Sequence, residues 1–141
     1  MSNTFDISAA SSLLGDVFAD WVQDLGIRID ALHEGGAVLR MPYSDRLCRE
    51  GGIICGQALM ALADTSMVLA VASASGRYRP MTTVDMTTHM MKPVSGADVI
   101  ADTRILRLGR SMAFGQSFLR SDGSDSHSVT ATLAYALLPE K

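Results

Sequence analysis

The chain is short of the residues that announce several common chemistries. Of its 141 residues only two are cysteines, Cys48 and Cys55, with six residues between them. Two thiols make no disulfide framework, and no second Cys/His pair accompanies them to close a zinc site. The three histidines, His33, His89 and His127, are scattered over strand ends and turns, without the partner spacing of a catalytic triad or a metal site. Basic residues are not in excess. Twelve Lys and Arg against fifteen Asp and Glu give a net charge of −3, which argues against a general nucleic-acid binder. The opening, MSNTFDISAASSLLGDVF, has no basic segment leading into an apolar core, so no signal peptide is expected. The longest apolar stretch, about 53–75, approaches membrane-span length. It carries Gln57, Asp64, Thr65 and three serines and is rich in Ala, which disfavours a span. What remains is the expectation of a reduced cytoplasmic protein, 48% hydrophobic and long enough to bury a real core.

Apolar periodicity supplies the elements. Leu13, Leu14, Val17, Phe18, Trp21, Val22 and Leu25 recur at helical spacing and predict one helix over 8–25, with Ser8 as N-cap and Gly26 as stop. GIRIDALHE and AVLRMPY alternate on either side of EGG and predict a hairpin, with Ile27 and Ile29 on one face. SDRLCREGG reads as a loop. Residues 56–75 predict a second helix, apolar around most of its circumference and closed by Gly76. The segments MTTVDMTTHMMKP, ADVIADTRILRL, SMAFGQSFLRS and SVTATLAYALL alternate and are separated by turn residues. Long strands with short connections favour antiparallel pairing. A helix apolar nearly all round needs more cover than one flat sheet gives. A curved sheet of five or six strands wrapped around it gives more, and a second copy of the chain gives the rest.

The stretch REGGIICGQALMALADTSM, residues 49–67, carries the chemistry. A helix start offers unpaired backbone N–H groups and a positive dipole end, and a glycine there lets a carbonyl come close. Gly56 is thus a candidate oxyanion donor, although glycines can also serve only to make the turn. Asp64 stands among Ala, Leu and Met on a helix expected to be buried. A carboxylate there costs several kcal/mol unless it is paired or protonated. It is a candidate general base or nucleophile; a bond to a neighbouring strand is the plainer alternative. Eight residues of helix rise about 12 Å, so Asp64 cannot reach a carbonyl held at the start of its own helix. If both act on one substrate, they come from different subunits across a dimer axis.

GGIICGQALMALADTSM, followed by TTVDMTTHMMKPVSGADVIADTRILRLGRSMAFGQSFLRSDG, resembles the hot-dog acyl-CoA thioesterases of the phenylacetate-pathway type, within the 4-hydroxybenzoyl-CoA thioesterase superfamily. The resemblance covers roughly residues 20–141. It implies an α+β hot-dog domain over 26–141, preceded by a helical segment over 1–25. It also implies hydrolysis of a medium-chain or aromatic acyl-CoA by a homodimer or a dimer of dimers, without metal or redox cofactor, coenzyme A entering only as part of the substrate. Neither nucleic acid nor membrane is an expected partner. Gly52, Gly56 and Asp64 match the family's pattern. Arg49 stands where the family carries Asn, Cys55 where it carries His, and Gln57 where it carries a second Gly. Thr83 falls where such enzymes place a hydroxyl that positions the attacking water; as a bare strand residue it could equally be a Thr chosen for β-propensity. Cys55, a thiol at a helix start, is a secondary candidate nucleophile. Lys92 and Pro93 of the KPV turn, and Gly109, Arg110 and Ser111 of LGRS, match positions that contact the nucleotide or pantetheine; Arg77 and Arg79 are weaker candidates. Two other readings are set beside this one. A hydratase on the same fold would want a His near the helix start, and none lies between His33 and His89. A non-catalytic acyl-CoA or aromatic-ligand binding protein would fit the missing Asn and His.

Overall fold

A computed structural model describes residues 5–140. The elements are α1 (Ile7–Asp16), α2 (Asp20–Gln23), β1 (Arg28–His33), β2 (Gly36–Met41), α3 (Gly56–Ser75), β3 (Met81–Met90), β4 (Val99–Leu108), β5 (Met112–Ser121) and β6 (Val129–Leu137). The strands form one antiparallel sheet of six in the order β1-β2-β4-β5-β6-β3. The sheet packs around α3, as the apolar circumference of that helix requires.

Helix α3 has the bounds its sequence predicts. Leu62, Ala63, Met67, Leu69, Ala70, Val71 and Ala72 are fully enclosed. Gly76 ends the helix in the left-handed region, at φ 79°. Length and composition would let α3 cross a membrane, but here it is the core helix of a wrapped sheet, with 72% of its most apolar window buried. A buried chain of hydroxyls fixes it to the sheet: Ser66 Oγ lies 2.6 Å from Thr103 Oγ1 on β4, which lies 2.7 Å from Ser117 Oγ on β5. Gly115 on β5 lets the helix approach closely. A Cβ there would stand 2.5 Å from Met67 Sδ.

The N-terminal segment departs from its predicted form. The single helix over 8–25 is two helices broken at 17–19, and its N-cap is Asp6, whose Oδ1 accepts from Ala9 N at 2.9 Å, not Ser8. The periodic stripe is real but the core does not follow it. Leu13 is buried and Leu14, Phe18 and Leu25 pack on the core, whereas Val17 and Trp21 are exposed. A straight helix would keep all seven on one face; the break turns two of them outward. Gly26, with φ 70°, does end the segment.

Two register shifts decide what faces α3. In β3, Thr83 pairs with Tyr135 and Asp85 with Ala134, leaving Val84 as the extra residue of a bulge. Without the bulge, Thr83 would share a face with Asp85 and Thr87. With it, Thr83 falls in phase with Met86, Thr88 and Met90 on the helix side. β4 carries a comparable shift between Ile105 and Arg107.

Candidate functional site

The Gly-rich loop sets the start of α3. Gly51 and Gly52 take φ values of 78° and 74°, which reverse the chain, and Arg49 N donates to Ile53 O at 2.8 Å. Ile54 N then donates to Val94 O at 2.9 Å, which docks the KPV turn beside the helix start. Cys55 is the N-cap residue and its side chain makes no capping bond. The first N–H groups of α3 are therefore left to water or to a ligand. Beside them lies a cavity of about 380 Å³ lined by Arg49, Ile53, Leu59, Met90, Lys92 and Pro93, among others. The structure thus brings Gly56, Lys92 and Pro93 together, with Cys55 next to them in the chain. Lys92 Nζ is bonded to Ser126 Oγ in the β5–β6 turn. Arg49 is mostly exposed, with Glu50 at 3.6 Å.

A second cluster forms one helical stretch away. Asp64 is half-buried on α3. Its Oδ1 accepts from Thr83 Oγ1 at 2.8 Å and from Tyr135 OH at 2.5 Å. The same phenol lies 2.9 Å from the Asp64 carbonyl oxygen. Thr83 and Tyr135 are directly opposite across β3 and β6, so the bulge at Val84 brings both hydroxyls to one carboxylate oxygen. The other oxygen, Oδ2, has no partner among the described residues. The Thr83 proton is engaged with Asp64, while its lone pairs remain open to a water. Burial, and then the neighbouring carboxylate, push the Tyr135 phenol well above its ordinary range. It stays a protonated donor at any working pH.

The LGRS turn belongs to this second end. Ser111 O accepts from Leu137 N at 2.9 Å, and Arg110 O accepts from Arg79 at 3.4 Å. Arg110 and Ser111 are exposed, as are Lys92 and Pro93 at the other end. Between the ends run two turns of α3, about 12 Å, and the length of β3, roughly 20 Å from Thr83 to Met90. Within one chain the predicted site residues therefore form two groups. Gly56, Cys55, Lys92 and Pro93 stand at one, and Asp64, Thr83, Gly109, Arg110 and Ser111 at the other. Arg77 and Arg79 both face Glu140, at 2.6 and 3.7 Å. His127 stacks on Phe118 with ring centroids 4.8 Å apart.

Tyr135 escaped the sequence reading. A signal for it existed: it is in phase with Val129, Ala131, Leu133 and Leu137, all buried. A phenol pointing inward from such a strand has to find an acceptor.

Sequence and structure comparisons point the same way. The profile of the Thioesterase superfamily matches residues 51–126, from the Gly-rich loop to the β5–β6 turn. A Thermoplasma volcanium protein named "Putative esterase" is 30% identical over 106 residues, covering 75% of this chain and 78% of that one. A solved Silicibacter structure described as a "putative thioesterase" superposes with a TM-score of 0.87 at 31% identity, covering 99% of this chain and 96% of the other. The PaaI protein of the E. coli phenylacetic acid degradation operon shares the fold, at a TM-score of 0.84 and 16% identity over 99% of both chains. With a six-stranded sheet wrapped around a central helix and a matching profile over more than half its length, the chain belongs to the thioesterase superfamily and has the hot-dog fold.

Proposed function

We propose that this thioesterase hydrolyses a medium-chain or aromatic acyl-CoA to the free acid and coenzyme A, at sites shared between two copies of the chain. The observation that carries the reading is Asp64. Its Oδ1 is held by two hydroxyls, its Oδ2 is left open, and it stands on the uncovered face of α3. That face is a stripe at i, i+3, i+4 and i+7, formed by Gln57, Met60, Ala61 and Asp64, all exposed or half-buried within one chain. β3 is an edge strand beside it. A partner copy laid antiparallel on this face covers the stripe. It sets Asp64 and Thr83 of one chain opposite the helix start, Arg49 and Lys92 of the other. The free N–H groups at Gly56 then receive the thioester carbonyl and stabilise the oxyanion. Asp64 Oδ2 activates water, or attacks directly, from the other side. The mainly apolar cavity at the helix start suits the acyl group. Lys92 and Arg110, exposed at the two ends, are brought to one mouth where they meet the coenzyme's phosphates. The reaction needs no metal, and the chain works in the cytoplasm.

The test is release of free CoA from a panel of acyl-CoAs by wild type, Asp64→Ala and Cys55→Ala. Turnover is expected to fall at least about a hundredfold in Asp64→Ala, as for loss of an essential base or nucleophile, and to persist in Cys55→Ala. Equal rates for wild type and Asp64→Ala sink the Asp64 mechanism. Loss confined to Cys55→Ala assigns the thiol instead. Binding without turnover across the panel makes the protein an acyl-CoA binding module, the reading that Arg49 and Cys55 in place of the family's Asn and His would favour.

A further inference from the structure

We infer that Tyr135 is a positioning residue for the hydrolysis: its hydroxyl locks the Asp64 carboxylate in one orientation and confines its chemistry to Oδ2. The inference rests on Asp64 being the reactive carboxylate. Tyr135 OH makes two contacts to one residue, 2.5 Å to Oδ1 and 2.9 Å to the backbone oxygen of Asp64. The phenol thus spans the side chain and main chain of Asp64 and fixes the rotamer between them. Its own position is over-determined. Tyr135 is 2% exposed, lies on β6 between its neighbours β5 and β3, and pairs with Ala113 on one side and Thr83 on the other. A donor held this firmly does not follow the carboxylate if it swings; it selects the orientation.

The electrostatic consequence follows from the surroundings of Asp64. It is the only ionisable side chain on α3. No cation is paired with it among the described residues. From β3 it faces the neutral Thr83; Asp85, the nearest acid on that strand, is exposed and thrown to the outer face by the bulge. From β6 it faces Tyr135. Asp64 Oδ1 is therefore held by two hydroxyl donors, of which Tyr135 makes the shorter bond and is the more buried. Hydrogen bonds to a carboxylate favour its charged form. Removing the phenolic oxygen withdraws that support and frees the rotamer, while leaving the aromatic ring in the core.

The experiment compares pH–rate profiles of CoA release for wild type, Tyr135→Phe and Thr83→Val, alongside NMR titration of the Asp64 carboxyl in the same proteins. In Tyr135→Phe, kcat should fall about ten- to a hundredfold with KM within about threefold, the split expected when a carboxylate is misoriented but binding is intact. The acidic limb of the pH–rate profile should move to higher pH, because a donor that favours the charged carboxylate is lost. A purely structural Tyr135 would lower thermal stability and leave the limb in place. The inference is overturned if Tyr135→Phe moves neither the limb nor the titration, or if it raises KM alone. Thr83→Val keeps the comparison open should Tyr135→Phe fold poorly: a smaller shift of the same sign supports the two-donor arrangement, and no shift counts against it. Full activity in Asp64→Asn would overturn the proposed mechanism itself, and the Asp64 titration in Tyr135→Phe would still decide whether the phenol controls the carboxylate.

Discussion

Two side chains show how single residues are set by their neighbours in this fold. Asp64 is held by two hydroxyls with one carboxylate oxygen left open among the described residues; Asp98, just before β4, has both oxygens engaged. Asp98 Oδ1 accepts from Tyr43 N at 2.7 Å, and its Oδ2 accepts from Arg40 at 3.0 Å. Arg40 also reaches Asp122 at 2.7 Å and Asp30 at 3.0 Å, so one guanidinium ties β1, β2, the start of β4 and the β5–β6 turn. The Tyr43 amide first, and then Arg40, hold the Asp98 carboxyl below its usual range. A depressed carboxyl contributes stability that is present above about pH 4, its unfolded value, and is lost as pH falls through the lower folded value. Asp98→Asn is therefore expected to lower the unfolding temperature at pH 7 and to flatten its decline as pH falls below about 4. Thermal unfolding followed by circular dichroism across that range checks it, and an unchanged acid slope would refute it. Asp64 and Gly56 were legible in the sequence as candidates because an acid within an apolar run and a glycine at a helix start are conspicuous. The partners were not. Tyr135 and Asp98 owe their roles to contacts 71 and 55–58 residues away in the chain, and no local pattern encodes such a contact.

At the scale of elements, the sequence reads well where one physical demand dominates. The bounds of α3 follow from its run of small apolar residues and from Gly76, and β3 to β6 follow from alternation and short turns. It reads poorly where tertiary packing overrides a local period. The stripe over 8–25 is consistent with one helix, yet the chain breaks at 17–19 and only part of the stripe reaches the core. The bulge at Val84 is a sharper case. TTVDM alternates no differently from an unbroken strand, and only pairing against β6 reveals the extra residue. That residue decides whether Thr83 meets Asp64. Deleting Val84 should restore a continuous register. It would throw either Thr83 or the Met86–Met90 stretch to the outer face. The variant should retain its far-ultraviolet spectrum but lose at least about tenfold in turnover, by analogy with other misplaced positioning groups. Turnover at the wild-type level in a folded deletion variant would show that the bulge does not set the site.

For the whole molecule, distance within one chain is the deciding quantity. Gly56 and Asp64, which anchor the two groups of candidate residues, stand about 12 Å apart on one helix, too far to act on one thioester carbon. The chain also leaves a stripe of α3 and one edge strand uncovered on that side. Both facts are met by one arrangement, a twofold pair in which each site takes Asp64 from one copy and the helix start from the other. Complementation tests it directly. Asp64→Ala disables the acidic half of a site, and Gly56→Trp blocks the donor half; neither protein alone should turn over substrate. A Cβ at Gly56 meets only Met90 Cε, at 3.6 Å, so a side chain there projects into the cavity and spares the core. After unfolding and refolding an equimolar mixture, half of the dimers are mixed. Each mixed dimer has one site with both halves intact and one with both lost, so activity should return to about a quarter of wild type. Mass spectrometry of the intact assemblies confirms the mixing. If mixed dimers form and no activity returns, the halves do not meet across the axis. Activity in either parent alone would show instead that a single chain completes its own site.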